Sequence, residues 1–226
     1  MNIELIEKLK GYPVVDRNTV MKLLNCKRDY AYLILQRLEK RGILKKIIKS
    51  KYTAIGDIYK IAANLYYPSY ISFLTASMLK KATEQIFHTV QVASNYNKKI
   101  DFQDYTIELI KIDKDFIFGY ENQDGVFIAG NEKLLIDMLN YRNYSGNFSE
   151  IIKVVENLEF SKEKILNYLK KISKQSLIKR VGFLLEKHKK VDLSNDFELD
   201  NNYVFLDVLT RKQNKANTKW RVKHDN

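Results

Sequence analysis

Apolar residues recur every three or four positions in three short stretches at the start of the chain, which predicts three helices. The first helix ends near Gly11, because Pro13 cannot continue it. Asp16 is placed to cap the second helix. The third helix is predicted over residues 27–41, and Gly42 suits the left-handed position just past its end.

A β-prone segment rich in lysine follows the third helix, at residues 43–52. Three helices followed by a basic hairpin is the element order of a winged helix-turn-helix, in which the third helix reads DNA. One face of such a helix packs on the other two helices, and the N-terminal turn of the opposite face offers donors to base edges. The sequence therefore predicts a DNA-binding domain at residues 1–56.

Ten residues of this domain are the predicted DNA contacts. Arg28 and Gln36 suit bidentate contacts with guanine and adenine, whereas lysines suit phosphates, which position a protein without reading sequence. Tyr30 and Tyr32 have a second interpretation as packing residues, because tyrosines at helical spacing are often part of the core. Each lysine taken singly has an equal claim to be a solvated surface charge. The ten residues are Lys27, Arg28, Tyr30, Tyr32, Gln36, Arg37, Lys45, Lys46, Lys49 and Lys51.

The distribution of charge supports this interpretation. Residues 1–60 carry 14 Lys and Arg against 6 Asp and Glu, whereas the remaining 166 residues carry 25 against 21. Most of the net charge of +12 therefore lies in the first quarter of the chain. A concentrated positive field favours binding to a phosphate backbone, because neutralised phosphates release condensed counterions.

Cysteine usage and hydropathy indicate the compartment. The single cysteine, Cys26, cannot form an internal disulfide, which favours a reducing environment. The N-terminus lacks the charged-then-apolar pattern of a signal peptide. No stretch approaches the roughly 18 uninterrupted apolar residues typical of a membrane span. We therefore expect a cytoplasmic protein without a membrane partner.

From residue 57 onward, helical and strand-like patterns alternate. Helices are predicted at residues 58–65, 73–81, 132–140, 148–158, 161–174 and 175–188. Strand-like runs occur at residues 87–93, 105–112, 116–120 and 126–129, as in a small, mostly antiparallel sheet. Ser72 and Asn131 are the predicted caps of the helices that follow them. The last thirty or so residues are predicted to be irregular, with the lone Trp220 docked. The predicted class is α+β, with a mixed α/β domain at residues 57–226 that has C-terminal helices and a basic tail.

The sequence lacks the usual signatures of an enzyme. The three histidines are far apart, without cysteines at zinc spacing. A metal-dependent nuclease of the restriction-enzyme type normally shows Glu-x-Lys or Asp-x-Lys, and neither occurs. A nucleotidyltransferase would need a Gly-Ser dipeptide ahead of two carboxylates that hold magnesium. The Asp-Lys-Asp at residues 113–115 has the spacing, but no Gly-Ser dipeptide occurs. Lys133 and Asp137 are one helical turn apart beside Glu132, and an ordinary ion pair is the favoured interpretation of these residues. We expect a non-enzymatic protein without a cofactor or metal.

Several motifs in succession resemble those of the AbiEi family, the antitoxin-type transcriptional regulators of abortive-infection (type IV) toxin–antitoxin operons. The matching residues are 61–62, 67–72, 85, 128–137, 179–186 and 219–222. The resemblance implies an N-terminal winged helix that binds inverted repeats in the promoter of its own operon. It also implies a C-terminal α/β domain that counters a nucleotidyltransferase-like toxin without requiring a stable complex. On these motifs, the candidate functional residues of that domain are Tyr70, Ser72, Glu132, Lys133, Asp137 and Arg180.

A second interpretation is an RNA-binding module that shields the RNA target of a toxin. Aromatic residues beside basic ones suit single-stranded RNA, and the middle of the chain is rich in tyrosine. The basic residues of the tail on which this interpretation depends are Arg211, Lys212, Lys215, Lys219, Arg221 and Lys223.

Overall fold

A computed structural model describes residues 3–210 and 213–225. The chain is α+β and forms two compact units. Unit 1 contains the chain up to residue 71 together with residues 88–111 and 122–127. Unit 2 contains residues 72–87, 112–121 and the chain from residue 128 onward.

The described residues contain nine α-helices and eleven strands. The helices are α1 Ile3–Lys10, α2 Arg17–Leu24, α3 Arg28–Lys40, α4 Ile58–Asn64, α5 Phe73–Leu79, α6 Asn131–Asn140, α7 Phe148–Asn157, α8 Lys162–Ile172 and α9 Gln175–Lys189. The strands are β1 Lys45–Ile48, β2 Lys51–Thr53, β3 Ser69–Ile71, β4 Thr89–Ser94, β5 Lys98–Phe102, β6 Tyr105–Lys111, β7 Tyr120–Gln123, β8 Val126–Ala129, β9 Val204–Phe205, β10 Lys215–Asn217 and β11 Val222–His224. Among these residues no helix combines the length and the apolar character needed to cross a bilayer.

The first three helices form as predicted, for local reasons. The carboxylate of Asp16 accepts a hydrogen bond from the backbone N–H of Thr19 at 2.8 Å, and the hydroxyl of Thr19 accepts one from the N–H of Asp16 at 3.4 Å. This capping box fixes the start of α2. Gly42 has φ of +70° just after α3, as predicted. The helices enclose a core of Leu5, Leu9, Val15, Val20, Ala31, Leu35, Leu38, Leu44 and Tyr52.

An antiparallel hairpin of β1 and β2 follows these helices. Its turn passes through Ser50, which has φ of +66°. Val15 and Tyr52 exchange two backbone hydrogen bonds, of 2.7 and 2.8 Å, which fasten the hairpin to the segment before α2. Leu44 and Ile47 point into the protein, and the lysine side chains between them face solvent.

A six-stranded sheet has the order β5-β6-β4-β3-β8-β7. The β3–β4 and β5–β6 pairs are antiparallel, whereas the β4–β6 pair is parallel. The predicted strands at residues 87–93, 105–112 and 126–129 correspond to β4, β6 and β8. The predicted strand at residues 116–120 is wrong. Residues Lys114–Phe116 form a 3-10 turn and Gly119 has φ of +68°, so extended backbone begins only at Tyr120.

Helix α6 is the centre of unit 2 and contacts α5, α7, α8 and α9. Its residues 132–139 are all buried. Asn131 does not cap this helix, contrary to the prediction, because Gly130 occupies the N-cap position. Asn131 is instead the first helical residue, and its side-chain amide donates to the carbonyl of Glu159 at 2.9 Å.

Most of the described tail is irregular, as predicted, but three short strands within it pair with one another. They form a three-stranded sheet of order β10-β11-β9. The docking of Trp220 is confirmed: its side chain is fully buried in unit 2, and its Nε1 donates to the carboxylate of Glu186 in α9. Gly182 in α9 faces the indole, so the missing side chain of this glycine makes room for the ring.

Candidate functional site

One stripe of α3 consists of Arg28, Tyr32 and Gln36, spaced four residues apart. Arg28 and Tyr32 are exposed, and Gln36 is half-buried. The buried residues Ala31, Leu35 and Leu38 hold the helix against the core, and the first stripe flanks this buried face. Nε2 of Gln36 donates a hydrogen bond to the hydroxyl oxygen of Tyr32 at 2.7 Å. Three of the predicted base-reading side chains therefore share one face.

Arg17, at the start of α2, adjoins this stripe. Its guanidinium carbon lies 5.3 Å from the centroid of the Tyr32 ring, within the range of a cation–π contact. Arg17 also lines a groove of about 550 Å³ together with Arg28, Lys49 and Ser50. The sequence prediction missed Arg17, because no pattern within α2 distinguishes it from other surface arginines.

The four hairpin lysines have two different environments. Lys45, Lys46 and Lys49 are exposed. Lys51, in contrast, donates to the carbonyl of Leu65 and lies 4.5 Å from the centroid of the Tyr66 ring. Burial lowers the pKa of Lys51, and Asp16 partly opposes this effect. The phosphate contact predicted for Lys51 stays a prediction, and its ammonium group has partners within unit 1 that the other three lysines lack.

The remaining candidates on α3 lie elsewhere on the helix. Lys27 is the exposed N-cap residue and makes no side-chain capping bond. Tyr30 and Arg37 line a second groove, of about 330 Å³, with apolar neighbours that include Leu5 and Ile34. This groove belongs to a different face of α3 from the one that carries Arg28, so the structure divides the ten candidates among separate surfaces.

In unit 2, Ser72, Lys133 and Asp137 meet as a fully buried cluster. Nζ of Lys133 donates to Oδ1 of Asp137, and the hydroxyl of Ser72 donates to Oδ2 at 2.8 Å. Ser72 has the backbone position of an N-cap for α5 but makes no capping bond with its side chain, contrary to the prediction. The rings of Phe116 and Phe118 have centroids 5.8 and 5.4 Å from Nζ of Lys133.

This environment affects protonation. Burial lowers the pKa of Lys133, and the charge of Asp137 opposes that effect. An ammonium group enclosed in this way is stabilised by its carboxylate partner, whose second oxygen is satisfied by the serine. The cluster resembles a fixed structural ion pair more than a reaction centre, because its three side chains have no exposure to a substrate.

The other candidates of this domain make separate contacts. Oε1 of Glu132 accepts a hydrogen bond from the backbone N–H of Ser161 at 2.8 Å, which connects α6 to the start of α8. Nε of Arg180 donates to the carbonyl of Phe205 at 2.8 Å, and burial lowers the pKa of this guanidinium. Tyr70 is fully buried in β3, in unit 1. Across residues 3–210 and 213–225, no group of three His, Cys, Asp or Glu side chains is arranged to hold a metal ion.

Two of the six basic residues of the tail, Lys219 and Arg221, are engaged within unit 2. Nζ of Lys219 contacts the carboxylates of Glu186 and Asp192 at 2.6 and 2.7 Å. Arg221 donates to the carbonyls of Leu199 and Asp200. Arg211 and Lys212 lie outside the described residues, and the exposed lysines of the tail strands are Lys215 and Lys223.

The chain is similar in fold to a protein of known structure. The crystal structure of the RV2827C protein from Mycobacterium tuberculosis superposes with a TM-score of 0.64 and 13% sequence identity, over 98% of this chain and 90% of that one. No protein-family model matches the sequence, and no curated protein matches it. At this level of identity the likeness concerns the fold alone.

Proposed function

We propose that this protein is a non-enzymatic, DNA-binding transcriptional repressor that acts as the antitoxin of an abortive-infection toxin–antitoxin pair. In this proposal, residues 1–56 are a winged helix-turn-helix that binds inverted repeats upstream of the protein's own gene. Residues 57–226 are the antitoxin domain, which counters a nucleotidyltransferase-like toxin in the cytoplasm. The motif resemblance to the AbiEi family supports the antitoxin role.

The observation that carries the DNA-binding proposal is the stripe of exposed Arg28, exposed Tyr32 and half-buried Gln36, with Arg28 and the exposed hairpin lysine Lys49 lining one groove. An arginine and a glutamine on one helix face can read guanine and adenine through paired hydrogen bonds. Lysines at the side of that helix can neutralise the flanking phosphates. The stripe and the hairpin therefore supply the two kinds of contact that a sequence-specific complex needs.

In this proposal, four polar residues of the antitoxin domain have a structural role. Ser72, Lys133 and Asp137 satisfy one another in the interior, and Arg180 holds a backbone carbonyl. The RNA-shielding alternative has less support, because Lys219 and Arg221 are occupied by acidic groups and carbonyls. We therefore rank duplex DNA above RNA as the ligand.

The experiment is an anisotropy titration against the DNA directly upstream of the gene and against random duplex of equal length, at two salt concentrations. Arg28→Ala should weaken binding to the upstream sequence by about 1–3 kcal/mol and relax selectivity there. Lys49→Ala should weaken all duplexes similarly and lower the salt slope by about one. The matched control is Lys10→Ala, which removes an exposed lysine paired with Glu7 on α1 and should leave selectivity unchanged.

Equal, weak binding of the wild-type protein to both duplexes would refute a sequence-specific repressor. Tighter binding to transfer RNA than to upstream DNA would favour the RNA-binding alternative. Restored growth of cells that express a neighbouring toxin gene, when this protein is co-expressed, would support the antitoxin role separately from DNA binding.

A further inference from the structure

Three side chains from two helices form a continuous chain of contacts on the surface of unit 1. The guanidinium of Arg17 lies over the ring of Tyr32, and the hydroxyl of Tyr32 accepts a hydrogen bond from Nε2 of Gln36. Tyr32 is 43% exposed, so the protein interior does not by itself fix its orientation. Arg17 is the first residue of α2, directly after the Asp16 capping box, so its backbone is held firmly.

The hydrogen bond of Gln36 with Tyr32 leaves one N–H donor and the carbonyl oxygen of its side-chain amide available. A glutamine amide nitrogen has two N–H donors, and its carbonyl oxygen is an acceptor. One donor of Gln36 is directed at Tyr32. The second donor and the carbonyl oxygen remain to face a ligand, and together they match the N7 acceptor and N6 donor of adenine in the major groove.

We infer that Arg17 is a positioning residue for base reading: through its cation–π contact with Tyr32 it fixes the amide of Gln36 in the orientation that recognises an adenine. This inference rests on the proposed DNA-binding function and extends it to specificity. A planar guanidinium stacks on an aromatic face in a way that a compact ammonium does not. Fixing the amide before binding lowers the conformational cost of forming the paired contact.

The test is a base-pair scan of the upstream site with wild-type protein, Arg17→Lys, Arg17→Ala and Tyr32→Phe. In the wild type, replacing the A·T pair read by Gln36 should weaken binding by about 5-fold to 150-fold. Arg17→Lys keeps the charge but replaces the broad guanidinium over the Tyr32 ring with a compact ammonium, so the weakening caused by replacing this A·T pair should fall towards 1-fold, at that pair alone. Binding to random duplex and the salt slope should stay as in the wild type.

Tyr32→Phe keeps the ring under Arg17 and removes the hydroxyl that Gln36 contacts. This variant should lose its preference for A·T at the same base pair. The double variant, with both Arg17→Lys and Tyr32→Phe, should lose no more of that preference than either single variant. Unfolding midpoints of all variants near that of the wild type would show that the fold is intact. Should Arg17→Lys fail to fold, Tyr32→Phe tests the same contact chain alone.

Two results would overturn the inference while leaving the proposed function in place. One is full retention of adenine discrimination in both Arg17→Lys and Tyr32→Phe. The other is a uniform loss of affinity in Arg17→Ala with a lower salt slope, which would make Arg17 a phosphate contact. A wild-type protein that prefers no sequence would overturn the proposed function together with the inference.

Discussion

Gly182→Ala should destabilise unit 2 by about 2–4 kcal/mol. A Cβ atom at this position would lie 2.2 Å from Cζ3 and 2.3 Å from Cη2 of Trp220, far inside van der Waals contact. The indole is fully buried, so relief requires the ring or α9 to move. Loss of a packed aromatic ring costs about 3–5 kcal/mol, and alanine regains about 1 kcal/mol over glycine within a helix.

The assay is urea unfolding followed by circular dichroism and by tryptophan fluorescence. Trp220 is the only tryptophan of the chain, so its emission reports directly on the docked ring. Gly56→Ala is the matched control, because a Cβ there would meet no atom within 4 Å. Its stability should be unchanged or raised by up to about 1 kcal/mol.

Trp220→Leu in the Gly182→Ala background gives an independent check. The smaller side chain should relieve the clash, so the two substitutions together should cost less than the sum of their separate effects. Gly182→Ala with a higher unfolding midpoint and unchanged emission would refute the reasoning, since the substitution would then behave as an ordinary helix replacement.

Three further predictions concern buried or half-buried polar groups. Asp137→Asn removes the counter-charge of the buried Lys133 and should cost about 3–5 kcal/mol in urea unfolding; an unchanged midpoint would contradict this. Lys51→Met removes a donor to the Leu65 carbonyl and should cost about 1–3 kcal/mol. The salt slope of DNA binding should not change, and a lower slope would make Lys51 a phosphate contact after all. Burial raises the pKa of Tyr141 from 10.0 to about 12. The folded state then keeps a proton that the unfolded state releases, so stability is lost as pH rises from 10.0 towards about 12. Tyr141→Phe should lose less stability over that range, and identical pH profiles would exclude this contribution.

Features with local causes could be predicted from the sequence. The capping of α2 depends on Asp16 and Thr19, only three residues apart, and the end of α3 depends on the left-handed φ of Gly42. The apolar spacing within α7, α8 and α9 is strong enough to give these helices within a few residues. Each of these elements is specified by side chains within one or two helical turns.

Features that depend on distant residues could not be predicted. The hydroxyl of Ser72 bonds Asp137, 65 positions later, so its local suitability as a cap was misleading. Strands β9, β10 and β11 are two or three residues long, too short to show a period of two. Arg17 belongs to the candidate site only through its contact with Tyr32 on another helix.

The order of the six-stranded sheet leaves β5 and β7 as its outer strands. Outer strands present unpaired backbone groups that can recruit a strand from another molecule and so begin aggregation. Lys98 and Lys99 are exposed on β5, and Glu121 is exposed on β7, so a recruited strand would have to desolvate charge at either edge. Replacing the two lysines with valine would leave the backbone hydrogen bonds of the sheet in place, yet it would remove the charge that opposes strand recruitment at the β5 edge. The charges at these edges therefore contribute to keeping the molecules separate rather than to the stability of each one.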